Sequence, residues 1–216
     1  MNRTQPRDIR VSGVGKRFGD KRVLRHFSAT FSGGSVNVIM GPSGCGKTTL
    51  LQILMGFMRA DEGQVDGVPH HRSAVFQEDR LCEDFSAVSN VRAVCGRRVP
   101  QAEIVAHLER LGLAGSLYQP VRELSGGMRR RVAIARAMLA PAEIVFLDEP
   151  FKGLDEKTRD MTLAYVLEQT RGKTVIAVTH SREEADRLGG TLLRMTAAGS
   201  GRDHQATGKQ GGVEKS

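Results

Sequence analysis

A glycine-rich segment near residue 45 limits what this chain can fold into more than any other feature. It lies between an apolar run predicted as a strand over residues 35–40 and a stretch with helical apolar spacing over residues 48–55. Strand, glycine loop and helix in this order match the pattern G-x-x-x-x-G-K-[ST], which cradles phosphate groups. The residues of the segment are Gly41, Pro42, Ser43, Gly44, Cys45, Gly46, Lys47 and Thr48. The sequence therefore predicts a nucleotide-binding α/β core.

The residue types of this loop suit a triphosphate. Glycines let the backbone wrap closely around phosphates, so that successive N–H groups and the positive end of the helix point at the anion. Lys47 adds a full charge toward the β and γ phosphates, the Thr48 hydroxyl is a ligand for Mg²⁺, and Thr49 completes the binding segment. Cys45 is interpreted as a small filler, because no His or second Cys lies nearby to activate it.

Two acids follow a second apolar run. Residues 144–147 read as a buried strand, and Asp148 and Glu149 come directly after it. The carboxyl ends of parallel strands are where α/β folds bind ligands. We therefore expect Asp148 to hold Mg²⁺ and Glu149 to act as the base that polarises the attacking water.

The remaining pattern gives a coarse architecture. Strands are predicted over 9–14, 23–31, 35–40, 73–76, 144–147, 174–178 and 191–195, and helices over 48–55, 88–94, 102–111, 128–139, 156–170 and 182–188. Because the later strands alternate with helices, a mainly parallel sheet is expected. Residues 78–140 have helical spacing only and are predicted to form an inserted helical subdomain. The whole domain is expected to span residues 1–198, followed by a mobile polar tail over residues 199–216.

The segment Leu124-Ser125-Gly126-Gly127-Met128, followed by Arg129-Arg130-Arg131-Val132, resembles the signature motif of ABC ATPases. Ser125 is predicted to cap a helix whose free N–H groups, beside two glycines, can approach a phosphate. The resemblance covers nearly the whole chain short of the tail. It implies an ABC ATPase domain with an antiparallel β subdomain near the N-terminus, and ATP and Mg²⁺ as cofactors.

Other landmarks of that family occur in order. Phe18 resembles the aromatic residue that stacks on adenine, Gln77 the glutamine that ligates Mg²⁺ and links nucleotide to membrane partner, residues 153–155 the loop that crosses between subunits, and His180 the switch histidine at the γ-phosphate. In this family two subunits pair head to tail, so Ser125, Gly126 and Gly127 of one chain close over ATP held on Lys47 of the other. The catalytic set that the resemblance implies is Glu149, His180 and Gln77.

The resemblance also implies partners. Residues 77–81, Met128 and residues 150–151 are most similar to the nitrate, sulfonate and taurine importer branch, although Met128 and Phe18 depart from the residues most common in the wider family. It implies an ATP-hydrolysing transport subunit on the inner face of the membrane, with separate permease subunits, a second ATPase subunit and a substrate-binding protein. A docking surface for the permease is expected over residues 77–91, with packing inside the helical insertion as the alternative use of its apolar residues. The resemblance does not imply nucleic acid as a direct partner.

Composition leaves some alternatives open. The 216 residues carry a net charge of +8, which suits nucleic acid, an anionic surface or phosphate ligands, and equally a solvated basic surface. Residues 129–131 are interpreted as a solvated or subunit-facing basic cluster. No apolar run long enough to span a membrane and no signal region is found, so the protein is expected to be cytoplasmic. A soluble ABC ATPase acting on nucleic acid or ribosomes is the alternative function; a P-loop GTPase is disfavoured because an N-K-x-D element is absent.

Overall fold

The computed structural model describes residues 6–196, so the predicted tail over residues 199–216 lies outside the described residues. The described residues form two compact units. Unit one comprises residues 6–70 and 172–196, and unit two comprises residues 71–171. No helix among residues 6–196 is both long and apolar enough to cross a membrane.

Unit one contains the antiparallel sheet that the resemblance implied. Its strands are β1 (Ile9–Phe18), β2 (Lys21–Phe31) and β4 (Glu62–Asp66), in the order β2-β1-β4. Strand β1 begins with alternating buried and exposed residues, and β2 contributes the buried side chains of Leu24, Phe27 and Phe31. Strand β4 was not predicted from the sequence.

Unit one also contains parallel strands. Strand β3 (Val36–Met40) pairs on one side with β7 (Thr174–Val178) and on the other with β8 (Thr191–Arg194). Helix α1 (Lys47–Leu54) follows β3, and helix α6 (Arg182–Leu188) follows β7. In the register, Ile39 is opposite Val178. The segments that follow β3 and β7 therefore leave the sheet at the same edge.

Unit two combines two parallel strands with helices. Strand β5 (Arg72–Val75) pairs with β6 (Ile144–Asp148), and Val75 is opposite Leu147. The helices are α2 (Ala87–Cys95), α3 (Gln101–Arg110), α4 (Gly126–Leu139) and α5 (Glu156–Gln169), with short 3-10 turns at Gly96–Arg98, Ala114–Ser116 and Val121–Glu123. Helices α2, α3 and α4 and the three 3-10 turns lie within residues 78–140, a range that contains no named strand. The predicted α/β class with mainly parallel strands is confirmed.

Candidate functional site

The glycine loop of unit one joins the end of β3 directly to the start of α1. Gly46 has a φ of 100°, which residues with a side chain rarely adopt. A Cβ atom at Gly46 would lie 2.8 Å from Leu24 Cδ2, and one at Gly41 would lie 2.4 Å from the Met195 carbonyl oxygen. The compact loop therefore requires glycine at both positions.

Lys47 is buried and lies over this loop. Its Nζ donates hydrogen bonds to the carbonyl oxygens of Gly41 and Pro42, both at 2.8 Å, and lies 4.0 Å from Cys45 Sγ. No side chain caps the first turn of α1, which leaves the N–H groups of that turn for another acceptor. Thr48 is exposed at the same point. A positive charge, free N–H groups and a hydroxyl together suit a phosphate chain.

His180 lies at the same edge of unit one as this loop. It is exposed and comes two residues after Val178 of β7. The turn around it is fixed, because Thr179 Oγ1 donates to Glu184 Oε2 at 2.5 Å and Ser181 caps α6. The imidazole is therefore presented at the carboxyl edge of the parallel strands.

Phe18 ends β1, and its side chain is 48% exposed. Lys16 Nζ lies 5.8 Å from the centroid of the Phe18 ring and forms an ion pair with Asp61 at 2.6 Å. The hydrogen bond from Lys16 keeps the pKa of Asp61 below its ordinary value. An exposed aromatic face beside a positive charge suits stacking with a base.

In unit two, Gln77 and Glu149 follow paired strands. Val75 is opposite Leu147, and Gln77 and Glu149 each lie two positions further along the chain, beyond the ends of these strands. Asp148 is the buried last residue of β6, and Glu149 has a φ of 46°. Because this left-handed backbone turns the chain at Glu149, the two adjacent carboxylates leave the strand differently. Unit two therefore brings Gln77, Asp148 and Glu149 to one edge.

Ser125 is the N-cap of α4, as predicted, and its Oγ accepts a hydrogen bond from the Met128 N–H at 3.3 Å. Gly126 and Gly127 form the first helical residues with negative φ values. A Cβ at Gly126 would meet nothing within 4 Å, and one at Gly127 would make only an ordinary 3.5 Å contact with Leu154. Glycine in a helix is less favourable than alanine by about 1 kcal/mol. Nothing in the described part of unit two therefore requires these two glycines.

Asp155, in the predicted subunit-crossing loop, is the N-cap of α5. Its Oδ1 accepts a hydrogen bond from the Thr158 N–H at 3.0 Å. Hydrogen bonding from Thr158 keeps the pKa of the Asp155 carboxyl below its ordinary value. Asp155 therefore stays ionised near neutral pH and fixes the start of α5.

The interpretation of residues 129–131 as a solvated or subunit-facing cluster is wrong for Arg130. Arg130 is 4% exposed, and the other two arginines are half-buried. Arg129 donates to the Leu124 carbonyl, Arg130 to the carbonyls of Phe76, Gln77 and Glu149, and Arg131 to those of Leu111, Gly112 and Gly127. Burial lowers the pKa of Arg131, although the guanidinium stays charged. The physical reason is that α4 is buried on most sides, so its arginines must be satisfied within the unit.

Residues 76–80, here called the Gln77 loop, are held by a set of arginines that the sequence did not reveal. Arg136 donates to the carbonyls of Asp79 at 2.9 Å and Arg80 at 2.7 Å. The Arg80 guanidinium lies 4.1 Å from the centroid of the Phe76 ring. Burial raises the pKa of Asp79 above its ordinary value, and the neighbouring charge of Arg130 only partly opposes this rise. The apolar residues of α4 were the signal that could have indicated these contacts. They imply that the helix is buried, and buried arginines require carbonyl or carboxylate partners.

Each unit by itself carries oxygen donors of the kind that Mg²⁺ binds. No group of three or more His, Cys, Asp or Glu side chains suited to a metal is found among residues 6–196. The Thr48 hydroxyl, the Asp148 carboxylate and the Gln77 amide are instead hard oxygen donors, the kind that Mg²⁺ prefers when it also binds phosphates. Thr48 and Gln77 are exposed, and Asp148 ends its strand at the carboxyl edge.

The amino-acid sequence is similar to known import proteins. A family model described as ABC transporter matches residues 24–152. A taurine import ATP-binding protein of Yersinia pestis is 38% identical over 202 residues, covering 87% of this chain and 79% of that protein. The taurine import ATP-binding protein of Escherichia coli O157:H7 is 37% identical over 208 residues, covering 90% of this chain and 81% of that protein. A spermidine/putrescine import ATP-binding protein of Bacteroides fragilis is 37% identical, covering 87% of this chain and 44% of that protein.

The solved structures that are similar to this chain are also ATP-binding cassettes. A dimeric bacterial ABC transporter cassette is 26% identical with a TM-score of 0.78, covering 87% of this chain and 94% of that chain. A dimeric post-hydrolysis state of an ATP-binding cassette, bound to ADP and Pi, is also 26% identical with a TM-score of 0.77 over the same shares.

Proposed function

This chain belongs to the ABC transporter family of ATP-binding proteins, and from that premise we propose that it hydrolyses ATP to drive an importer whose membrane-spanning subunits are separate polypeptides. The observation that carries the ATPase part is the phosphate loop, in which buried Lys47 lies over its own backbone beside the uncapped start of α1. The similarity to import proteins over 87% of the chain favours import as the direction of transport.

The proposed chemistry is an in-line attack of water on the γ-phosphate. Lys47 and the N–H groups of the loop neutralise the phosphate charge, and Phe18 stacks on adenine. Glu149 accepts a proton from the attacking water, while His180 and Gln77 orient the groups around it. Catalysis in this scheme comes from positioning and charge neutralisation rather than from a covalent intermediate.

Mg²⁺ belongs to the proposal as well. Thr48, Asp148 and Gln77 are the residues that would hold it. When bound, the ion neutralises part of the negative charge on the phosphates.

The proposed assembly has two ATPase subunits, two or more permease subunits and a substrate-binding protein. The ATPase domain covers residues 1–198 and lies on the cytoplasmic face of the membrane. The open geometry at Gly126 and Gly127 supports an approach from outside the chain, because no neighbour within unit two would clash with a Cβ atom at either position. In this proposal, the group that approaches Gly126 and Gly127 is the nucleotide bound by a second copy of the chain.

The alternative function, a soluble ABC ATPase acting on nucleic acid or ribosomes, has less support. The relatives described above are import proteins over most of this chain. Arg130, which would be part of its basic patch, is buried and donates to backbone carbonyls.

Lys47→Ala tests the ATPase part of the proposal. Removal of the ammonium leaves the phosphate loop without its buried charge, so we expect Mg²⁺-dependent ATP turnover to fall about 100-fold or more. Steady-state phosphate release by purified protein measures this. Lys157→Ala, which removes an exposed lysine on α5, is the matched control and should turn over normally. Wild-type turnover by Lys47→Ala would contradict the assignment.

Purification from native membranes tests the importer part. A hydrophobic polypeptide with several membrane spans should remain bound to the tagged chain. Recovery of ribosomal or nucleic-acid components instead would favour the alternative.

A further inference from the structure

Arg130 is a buried arginine that links two segments of the candidate site within unit two. Its guanidinium donates to the carbonyl oxygens of Phe76 and Gln77, the latter at 3.0 Å, and to the carbonyl of Glu149 at 3.2 Å. It also lies 3.1 Å from Asp79 Oδ1. One rigid group therefore holds the backbone of the Gln77 loop and the backbone of Glu149 together.

This arrangement depends on the shape of arginine. A guanidinium presents five N–H donors in a fixed planar fork, whereas an ammonium group is a compact point charge. Burying such a charge is costly unless hydrogen bonds and a counter-charge compensate for it. Here three carbonyls and the Asp79 carboxylate provide that compensation.

The contact with Glu149 bears on where its side chain points. Glu149 has a φ of 46°, a backbone conformation that residues with a side chain seldom adopt and that persists only where neighbours impose it. The Glu149 carbonyl accepts from Arg130 and also from the Lys152 N–H at 3.3 Å. These two donors fix the peptide group next to the left-handed residue, and with it the direction in which the carboxylate leaves the backbone.

We propose that Arg130 is a positioning residue for hydrolysis. By holding the backbone carbonyl groups of Glu149 and Gln77, it fixes the positions of their side chains relative to each other. This inference rests on the proposed function, because the roles of Glu149 and Gln77 belong to that proposal. Arg130 touches neither substrate nor reacting atoms; it acts through the two residues whose backbones it binds.

The position of Arg130 on α4 extends this role. The helix begins at Gly126, directly after the Ser125 cap, and Arg130 follows about one turn later. Arg136, further along the same helix, binds the carbonyls of Asp79 and Arg80. A displacement of α4 would therefore move the Gln77 loop and the Glu149 backbone together. If a partner chain closed on the Ser125 turn and displaced α4, Arg130 would transmit that displacement to Glu149.

The test compares Arg130→Lys and Arg130→Met by steady-state kinetics and by nucleotide binding. Arg130→Lys keeps the charge beside Asp79 but cannot span the three carbonyls. We expect kcat to fall about 10-fold in Arg130→Lys and about 100-fold in Arg130→Met, since a misplacement near 1 Å has such effects. KM and the affinity for ATP should stay near wild type, because nucleotide is held by the loop of unit one. Arg110→Met, at an exposed ion pair with Glu168, is the matched control and should keep wild-type kcat.

A double-mutant cycle separates positioning from general stabilisation. Single-turnover hydrolysis is measured for Glu149→Gln with and without Arg130→Lys. If Arg130 acts through Glu149, adding Arg130→Lys to Glu149→Gln should cause far less loss than it causes in the wild type. An equal loss in both backgrounds would overturn the proposal, as would a wild-type kcat in Arg130→Lys or a KM that rises with kcat unchanged.

Two results keep the inference distinct from the proposed function. Wild-type turnover by Glu149→Gln would remove the assigned base, which is a failure of the proposed function whatever Arg130 does. Thermal unfolding of each variant shows whether the fold is intact. If Arg130→Met fails to fold, Arg130→Lys alone decides the question, because it retains the buried charge that Asp79 requires.

Discussion

Asp148 and Glu149 are adjacent acids whose environments differ. Asp148 ends a strand in which every residue is buried, whereas Glu149 is half-buried, has left-handed backbone geometry and lies 3.4 Å from Lys152 Nζ. Two neighbouring carboxylates in one site serve different tasks only if the backbone separates their directions. The turn at Glu149 provides that separation, which fits the proposed roles of Asp148 as metal ligand and Glu149 as base.

Glu149→Gln should keep ATP binding and nearly stop hydrolysis. The amide has the same shape as the carboxylate but cannot take the proton from water, so we expect a loss of about 100-fold to 10,000-fold in kcat. Phosphate release and nucleotide binding measure the two steps separately. Glu109→Gln, at an exposed position on α3, is the control and should be fully active. An undiminished rate in Glu149→Gln would exclude this residue as the base.

Single residues were predictable from the sequence where their role is local. Ser125 caps the following helix by accepting a hydrogen bond from a residue only three positions later. The shape of the glycine loop follows from the glycines within the loop itself. Arg130 is different, because its carbonyl partners in the Gln77 loop lie 53 and 54 positions earlier in the chain. No local pattern indicates such a partner. A run of three arginines therefore looked solvated although one of them is buried.

At the scale of elements, apolar periodicity predicted most of the fold. Strand β7 and helix α6 have the predicted bounds, because each has a continuous apolar or helical pattern. Strand β4 was missed, since its sequence EGQVD contains one apolar residue, Val65, and that residue is only half-buried. This strand exists through pairing with β1, where Val65 is opposite Val11. Pairing across the sheet is tertiary information that the segment itself does not carry.

The segment before α2 is the candidate docking element for the permease. Phe85 is 49% exposed and Leu81 is half-buried, whereas Val88 is 6% exposed and packs inside unit two. Val88 therefore has the alternative role considered for it, and only the first two residues remain available to a partner helix.

We expect Leu81→Glu and Phe85→Glu to preserve the fold and ATP binding while abolishing assembly with the membrane subunit. A charge placed at an apolar contact must be desolvated when the partner docks, which disfavours the complex. Co-purification with the permease measures assembly, and nucleotide binding checks the fold. Val94→Glu, at a 40% exposed position on α2 outside the segment, is the matched control. Intact assembly of the two variants would place docking elsewhere.

At the scale of the whole molecule, the site is divided between chains in the proposed mechanism. Lys47, Thr48, Asp148, Glu149 and His180 are contributed by one chain, and the Ser125 turn by the other. The structurally similar cassette described above is dimeric. Gly126, whose Cβ position is open, fits a turn whose neighbour comes from outside the chain.

Hydrolysis by the isolated subunit should therefore rise more steeply than linearly with protein concentration until dimers saturate. The competent species forms by mass action, so dilution removes it faster than it removes chains. Phosphate release measured across a dilution series down to nanomolar protein checks this. Specific activity that stays constant over the whole series would contradict a site shared between two separate chains.

Mixing two defective chains tests the division of the site directly. Ser125→Arg places bulk and positive charge in the turn that should meet the partner's nucleotide, whereas Lys47→Ala removes the charge that holds the chain's own nucleotide. Each variant alone should be inactive, because every site in its homodimer carries the same defect. In a mixed dimer, the intact Lys47 of one chain faces the intact Ser125 of the other and forms one complete site. Random pairing at equal concentrations makes half of the dimers mixed, so independent sites would restore about one quarter of wild-type activity. A mixture no more active than its separate components, or a fully active Ser125→Arg homodimer, would show that each chain completes its own site.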